Sequence, residues 1–254
     1  FSLNSTLSAV RWSTYLGGLA DDALYSVDVM SDGNLLVAGG TRSNLLPTGA
    51  GGLVTDLVGN VDGYLAIINA NGSNIEHATY VGTDRYDQVF FTEIDQQDNI
   101  YVVGHSSGAM PVKGTVYSNA NSRQFVSVYN SNLTQLEMST VFGSGKPTPD
   151  ITINAFLVDD CGKVYVSGWG ANIRGSGERL SNMPITGNAF QKTTDGNDFY
   201  IIVFEEELAN LDFATYFGGN QTDDHVDGGT SRFDKRGVVY QSVCSSCPND
   251  RYTS

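Results

Sequence analysis

Gly104-His105-Ser106-Ser107-Gly108 has the G-x-S-x-G spacing that sets a nucleophilic serine on a sharp turn between a strand and a helix. Ala109-Met110-Pro111-Val112, which follows, does not open a helix, and the corresponding stretch Gly39-Gly40-Thr41-Arg42-Ser43 lacks the motif, so no catalytic residues are assigned. Cys244-Ser245-Ser246-Cys247 and Cys161 are the three cysteines. In a secreted chain they are disulfide candidates, in a reducing compartment thiols, and with His225 they could approach a metal site only if the fold gathered them. Thr222-Asp223-Asp224 and His225-Val226-Asp227 offer Asp223, Asp224 and Asp227 as calcium ligands. The same loop position carries Asp21-Asp22, Asp84 to Asp87, and Asp150, where a carboxylate either binds calcium or caps a turn by accepting backbone N–H bonds. Gly168-Trp169-Gly170 with Gly175 imitates a dinucleotide loop one residue too long, without a βαβ unit around it. With 28 Asp and Glu, paired carboxylates for glycoside hydrolysis exist in any number, and nothing singles out one pair.

These residues hang on a repeat. Ser13-Thr14-Tyr15-Leu16-Gly17-Gly18 returns as Ala78-Thr79-Tyr80-Val81-Gly82, Ser139-Thr140-Val141-Phe142-Gly143 and Ala214-Thr215-Tyr216-Phe217-Gly218-Gly219. A second match runs from Asp28 to Gly39 and recurs at Ile94 to Gly104, Leu157 to Gly168 and Phe233 to Ser242. A third aligns Asp62 to Ile68 with Arg123 to Tyr129 and Asn197 to Val203. Self-similarity at such an interval means one supersecondary unit copied, each copy completing its core against its neighbours.

Each period reads as four short strands; in the first copy these are Leu24 to Met30, Leu35 to Gly39, Gly63 to Asn69 and Ile75 to Val81. Asp32-Gly33-Asn34 and Asn71-Gly72 supply the positive-φ residues of two-residue hairpin turns. Strands apolar on both faces suit a sheet buried between two others. The expected fold is all-β, a β-propeller of four-stranded antiparallel blades. Residues 24–83, 84–144 and 150–219 form whole blades, residues 1–18 supply the last strand of a preceding blade, and residues 225–254 the first strands of a truncated one. The two ends could together close a small four-bladed ring lacking one strand; an unpaired blade edge is a poor terminus, so the favoured expectation is an incomplete segment of a larger propeller. Phe1 at the start and an odd cysteine count agree with a piece of a longer polypeptide.

Charge narrows the partners. A net charge of −14 repels nucleic acid, and no apolar run nears the roughly 18 residues of a membrane helix. The long interstrand loops, Gly40 to Gly52, His105 to Asn121 and Trp169 to Ala189, are the expected binding rim, with His105, Trp169, Asn172 and Arg174 as candidate ligand contacts.

The anchors together resemble the SBBP family, the bacterial β-propeller repeat. They carry Ser13 through Gly18 with Asp21 and Asp22, then Asp28, Gly33, Asn34, Val37 and Gly39. Asp160-Cys161-Gly162 through Gly170, Thr194 through Tyr200 and His225 through Asp234 are similar to a subgroup in very large surface proteins of gliding bacteria. The resemblance implies export by type IX secretion to the cell surface and other domains (PKD modules among them) on the same polypeptide, and the leading expectation is a non-enzymatic role in adhesion or gliding motility. A surface glycan or protein is the expected ligand and calcium the one cofactor in view. The second reading is a scaffold domain of a secreted glycan-degrading enzyme, the third a structural spacer.

Overall fold

The computed structural model describes residues 1–170, 179–219 and 231–241. The chain is all-β, with three four-stranded antiparallel sheets, each a simple meander. The first sheet is β3 (Asp22–Val29), β4 (Leu35–Thr41), β5 (Asp62–Ile68) and β6 (Ile75–Val81); the middle one is β7 (Asp87–Ile94), β8 (Ile100–Ser106), β9 (Gln124–Tyr129) and β10 (Leu136–Phe142). The last is β11 (Thr152–Val158), β12 (Val164–Trp169), β13 (Phe199–Phe204) and β14 (Leu211–Phe217). Two hairpins flank them, β1 (Ser2–Leu3) with β2 (Val10–Trp12) and β15 (Ser231–Phe233) with β16 (Val239–Gln241). The chain divides into two compact units, Phe1–Val102 with Val128–Glu137, and Val103–Ser127 with Met138–Ser254.

The hairpin turns differ from the expected two-residue form. Between the first and second strands the loop has three residues: Gly33 N–H donates to Met30 C=O and Met30 N–H to Asn34 C=O, with Gly33 at φ +86°. Asp95–Asn99, Asp159–Lys163 and Asp234–Val238 repeat these bonds, with Asp98, Gly162 and Gly237 at positive φ. This is the type I turn closed by a left-handed residue. The third and fourth strands join through four residues, with Gly72, Leu133 or Leu208 left-handed. Residues 4–9 make that same four-residue turn, with Leu7 left-handed. Residues 1–18 therefore supply a third and a fourth strand, one more than the repeat alone indicates. The pairing also moves the third anchor by one residue. Tyr200 lies opposite Tyr216 as Tyr64 lies opposite Tyr80, so Asp198, and not Asn197, is the counterpart of Asp62.

The recurring Gly is explained by a carboxylate. Asp22 accepts the Gly18 N–H at 2.7 Å, Asp87 that of Thr83 at 2.7 Å and Asp150 that of Ser144 at 2.8 Å. Each acid presses on the glycine before it: a Cβ would stand 2.9 Å from Asp22 Oδ2 at Gly17, 2.8 Å from Asp87 Oδ2 at Gly82, and 2.5 Å from Asp150 Oδ2 at Gly143. Only glycine leaves that room.

The recurring Thr clamps a loop. Val54 N–H donates to Thr79 Oγ1 at 2.9 Å and Gln191 N–H to Thr215 Oγ1 at 2.9 Å, while Thr140 donates to Tyr117 C=O. Backbone bonds run alongside, from Tyr80 to Val54 C=O, Asn119 to Val141 C=O and Tyr216 to Gln191 C=O. The long loop between the second and third strands is thus laid along the fourth, which is the sheet edge, and covers its free backbone groups. Tyrosines fix the same loop from inside: Tyr80 takes the Leu46 N–H at 2.9 Å and donates to Ser43 C=O at 3.0 Å, and Tyr216 takes the Met183 N–H at 2.8 Å.

Within the first unit, β3 and β4 pack on β7, where the Ser26 and Thr92 hydroxyls bond at 3.0 Å and Thr92 also donates to Asp28. Leu53 N–H donates at 2.8 Å to the C=O of the left-handed Leu133. The second unit repeats this tie between Tyr117 and Leu208, at 2.8 Å. There β11 packs on β15, with Tyr165 and Phe233 rings 5.7 Å apart and Lys235 donating to Val158 C=O. Within the first unit β5, and within the second β13, is buried along its whole length, as a strand covered on both faces should be.

Candidate functional site

Few of the residues singled out from sequence stand at an accessible site. His105 is buried within β8, because that strand runs on through Ser106 and does not end at Gly104. Ser106 is a turn residue: its hydroxyl accepts the Gly108 N–H at 2.9 Å, as Thr41 accepts that of Ser43 at 2.9 Å. No strand–turn–helix surrounds it. Trp169 is half-buried at the end of β12, opposite Phe199. Cys161 is an exposed free thiol in the turn after β11. Asn172, Arg174, Asp223, Asp224, Asp227, Cys244 and Cys247 lie outside the described residues. Among the described residues, no three His, Cys, Asp or Glu side chains gather to hold a metal ion. The recurring Asp22, Asp87 and Asp150 act as turn caps.

Asp62 and Asp87 are two carboxylates that both face Gly82. Both are fully buried, and a Cβ on Gly82 would lie 2.9 Å from Asp62 Oδ1 and 2.8 Å from Asp87 Oδ2. Asp62 accepts the Val58 and Gly59 N–H groups at 2.7 and 3.0 Å. Burial raises its pKa, those two bonds oppose the shift, and the Asp87 charge adds to it. Closed off from solvent and committed to backbone donors, the pair has no face for a substrate.

An open site lies in the first unit, where the C-terminal end of β4 meets the N-terminal ends of β3 and β7. A cavity of about 290 Å³ is walled there by Tyr25, Gly40, Tyr86 and Gln88, with Asp21 and Arg42 at its mouth. The volume is at the lower end of the roughly 300–1,000 Å³ of small-ligand pockets. Tyr25 projects from the bulge in β3, and its ring lies 5.9 Å from that of Phe90. Burial, with the Tyr86 phenol nearby, raises the pKa of Tyr25. Arg42 and Asp21 form an exposed ion pair at 3.4 Å, and their backbones are joined through Arg42 N–H and Asp21 C=O. Gln88 stands over Gly40, where a Cβ would fall 2.3 Å from its Oε1, so the glycine makes room for the carboxamide. That oxygen is buried and has no hydrogen-bond partner.

Sequence reasoning missed this site because Gln88, Tyr86 and Arg42 do not recur. Gln88 has Ala23 as its counterpart in β3 and Thr152 in β11, Tyr86 matches Asp21, and Arg42 matches Ser107. The available signal was the departure itself, polar and aromatic residues breaking a repeat that is otherwise kept. Against known proteins, no family model matches the chain and no curated protein matches it.

Proposed function

We infer that this chain is a non-enzymatic binding module, three whole blades and two half-blades of a β-propeller, carried by a large secreted bacterial surface protein in adhesion or gliding motility. One observation carries the binding-module reading: a division of labour among polar residues. Those that recur are bonded to backbone: Thr79, Thr140, Thr215, Tyr80 and Tyr216 within their own repeat, Asp22 and Asp87 to the end of the repeat before. Gln88, Tyr86 and Arg42, which do not recur, meet at an open cavity beside the recurring Asp22 and Thr41. A scaffold repeated for strength, with chemistry only where the copies differ, suits binding. The resemblance to surface-protein repeats supplies the location, and with it the other domains of the polypeptide and the type IX machinery as partners.

The test is surface shaving of intact cells. Protease treatment should release peptides of this segment, and the native polypeptide should be far larger than the segment's own 27.3 kDa. Recovery of the segment only from the soluble interior of lysed cells would overturn the reading.

A further inference from the structure

We propose that the cavity beside Gln88 is a sugar subsite that takes one neutral hexopyranose unit of a glycan. The inference rests on the binding-module reading and names its ligand class. Gln88 is 5% exposed and lines the open cavity, and its Oε1, packed over Gly40, is a buried acceptor without a donor. A buried polar atom left in that state calls for a donor from outside. Tyr25, 49% exposed, offers an apolar face beside it, and Tyr86 walls the same cavity. A ligand must therefore present hydroxyl donors on its rim and a C–H face to an aromatic ring, which is the chemistry of a pyranose.

The mouth sets the remaining terms. Asp21 accepts and Arg42 donates, 3.4 Å apart, matching two neighbouring hydroxyls that both give and take hydrogen bonds. Charge argues for neutrality: the chain's net −14 repels a polyanionic glycan, while an ammonium ligand would meet Arg42 at the entrance. The volume of about 290 Å³ holds one ring and not a chain, so longer glycans would lie across the surface with one residue inserted.

The experiment is saturation-transfer NMR and calorimetric titration of the whole 254-residue chain with glucose, galactose, mannose and N-acetylglucosamine, singly, to tens of millimolar. At least one should bind saturably. Gln88→Leu and Tyr25→Ala should each weaken it about tenfold, the loss of one good hydrogen bond or stacking face, with unfolding midpoints within a few degrees of the parent. Tyr25→Phe, which keeps the ring, should bind nearly as well. Absence of binding by all four sugars would overturn the proposal, as would affinity unchanged in both folded variants, or preferential binding of a lysine amide. Release of reducing ends from an oligosaccharide would instead overturn the non-enzymatic reading and leave the subsite standing.

Discussion

At the scale of single residues, the repeat is written in contacts that admit one side chain only. Gly82 lies between two buried carboxylates, so Gly82→Ala should destabilise by about 1–3 kcal/mol, the usual range for overpacking. Urea denaturation checks this, with Gly187→Ala, where a Cβ meets nothing within 4 Å, as the neutral control. Asp62 gives a pH dependence of uncommon sign. Its folded pKa is raised, so the folded state holds that proton more tightly than the unfolded chain. The contribution to stability is present below the unfolded value of about 3.9 and is lost as pH rises through the folded one. As pH rises above about 4 the parent should therefore lose stability relative to Asp62→Asn; parallel curves for the two proteins would refute it. Only the slope is compared, since asparagine also surrenders one acceptor for Val58 or Gly59.

At the scale of elements, edge strands are closed by loops and the loops are held by threonines. Thr79→Val keeps shape but strands the Val54 N–H, at a cost of about 1–3 kcal/mol, whereas Thr79→Ser should restore most of it. Hydrogen exchange should show Val54 and Tyr80 amides losing protection first. The turns make a sharper case. Leu133 is fully buried yet left-handed at φ +58°, a conformation that costs a β-carbon roughly 1–2 kcal/mol. Its side chain compensates by packing, and its C=O holds Leu53. Leu133→Ala keeps the strain and loses the packing, so it should cost about 2–5 kcal/mol. Leu133→Gly loses the packing and relieves the strain, and should be the milder by about 1 kcal/mol. The reverse order would mean the turn is set by something other than its φ.

At the scale of the whole molecule, equivalent positions have unequal surroundings. Val27 pairs with Val37 in the first sheet as Phe156 pairs with Val166 in the last, yet Val27 is 63% exposed and Phe156 8%. Leu24 and Val29 are exposed with it. Phe156→Ala should therefore cost about 3–5 kcal/mol, while Val27→Ser should cost no more than about 0.5 kcal/mol, as at other surface sites. Thermal unfolding of both decides the matter, and a large loss at Val27 would show that this face of β3 is covered in solution.

Repetition is what made the fold legible. Three anchors returning at one period give the order of four strands in each whole repeat, because hydrogen-bonded meanders joined by left-handed turn residues follow from local chemistry; the extra strand in residues 1–18 is not among them. That local information also places the turns at Gly33 and Gly72. It does not reveal that Asp198 and not Asn197 matches Asp62, since a one-residue shift is decided by which tyrosines face each other across β13 and β14. Nor does it separate a calcium ligand from a turn cap at Asp22 and Asp87, because the two roles use the same residue type and differ only in where backbone N–H groups point. The long loops read as binding surface, and the fold makes them covers for sheet edges, as pairing partners distant in sequence carry no local signature. The cavity beside Gln88 depended most on tertiary structure. Its walls come from strands and loops tens of residues apart, and only packing sets the Gln88 side chain and the Tyr25 ring around one opening.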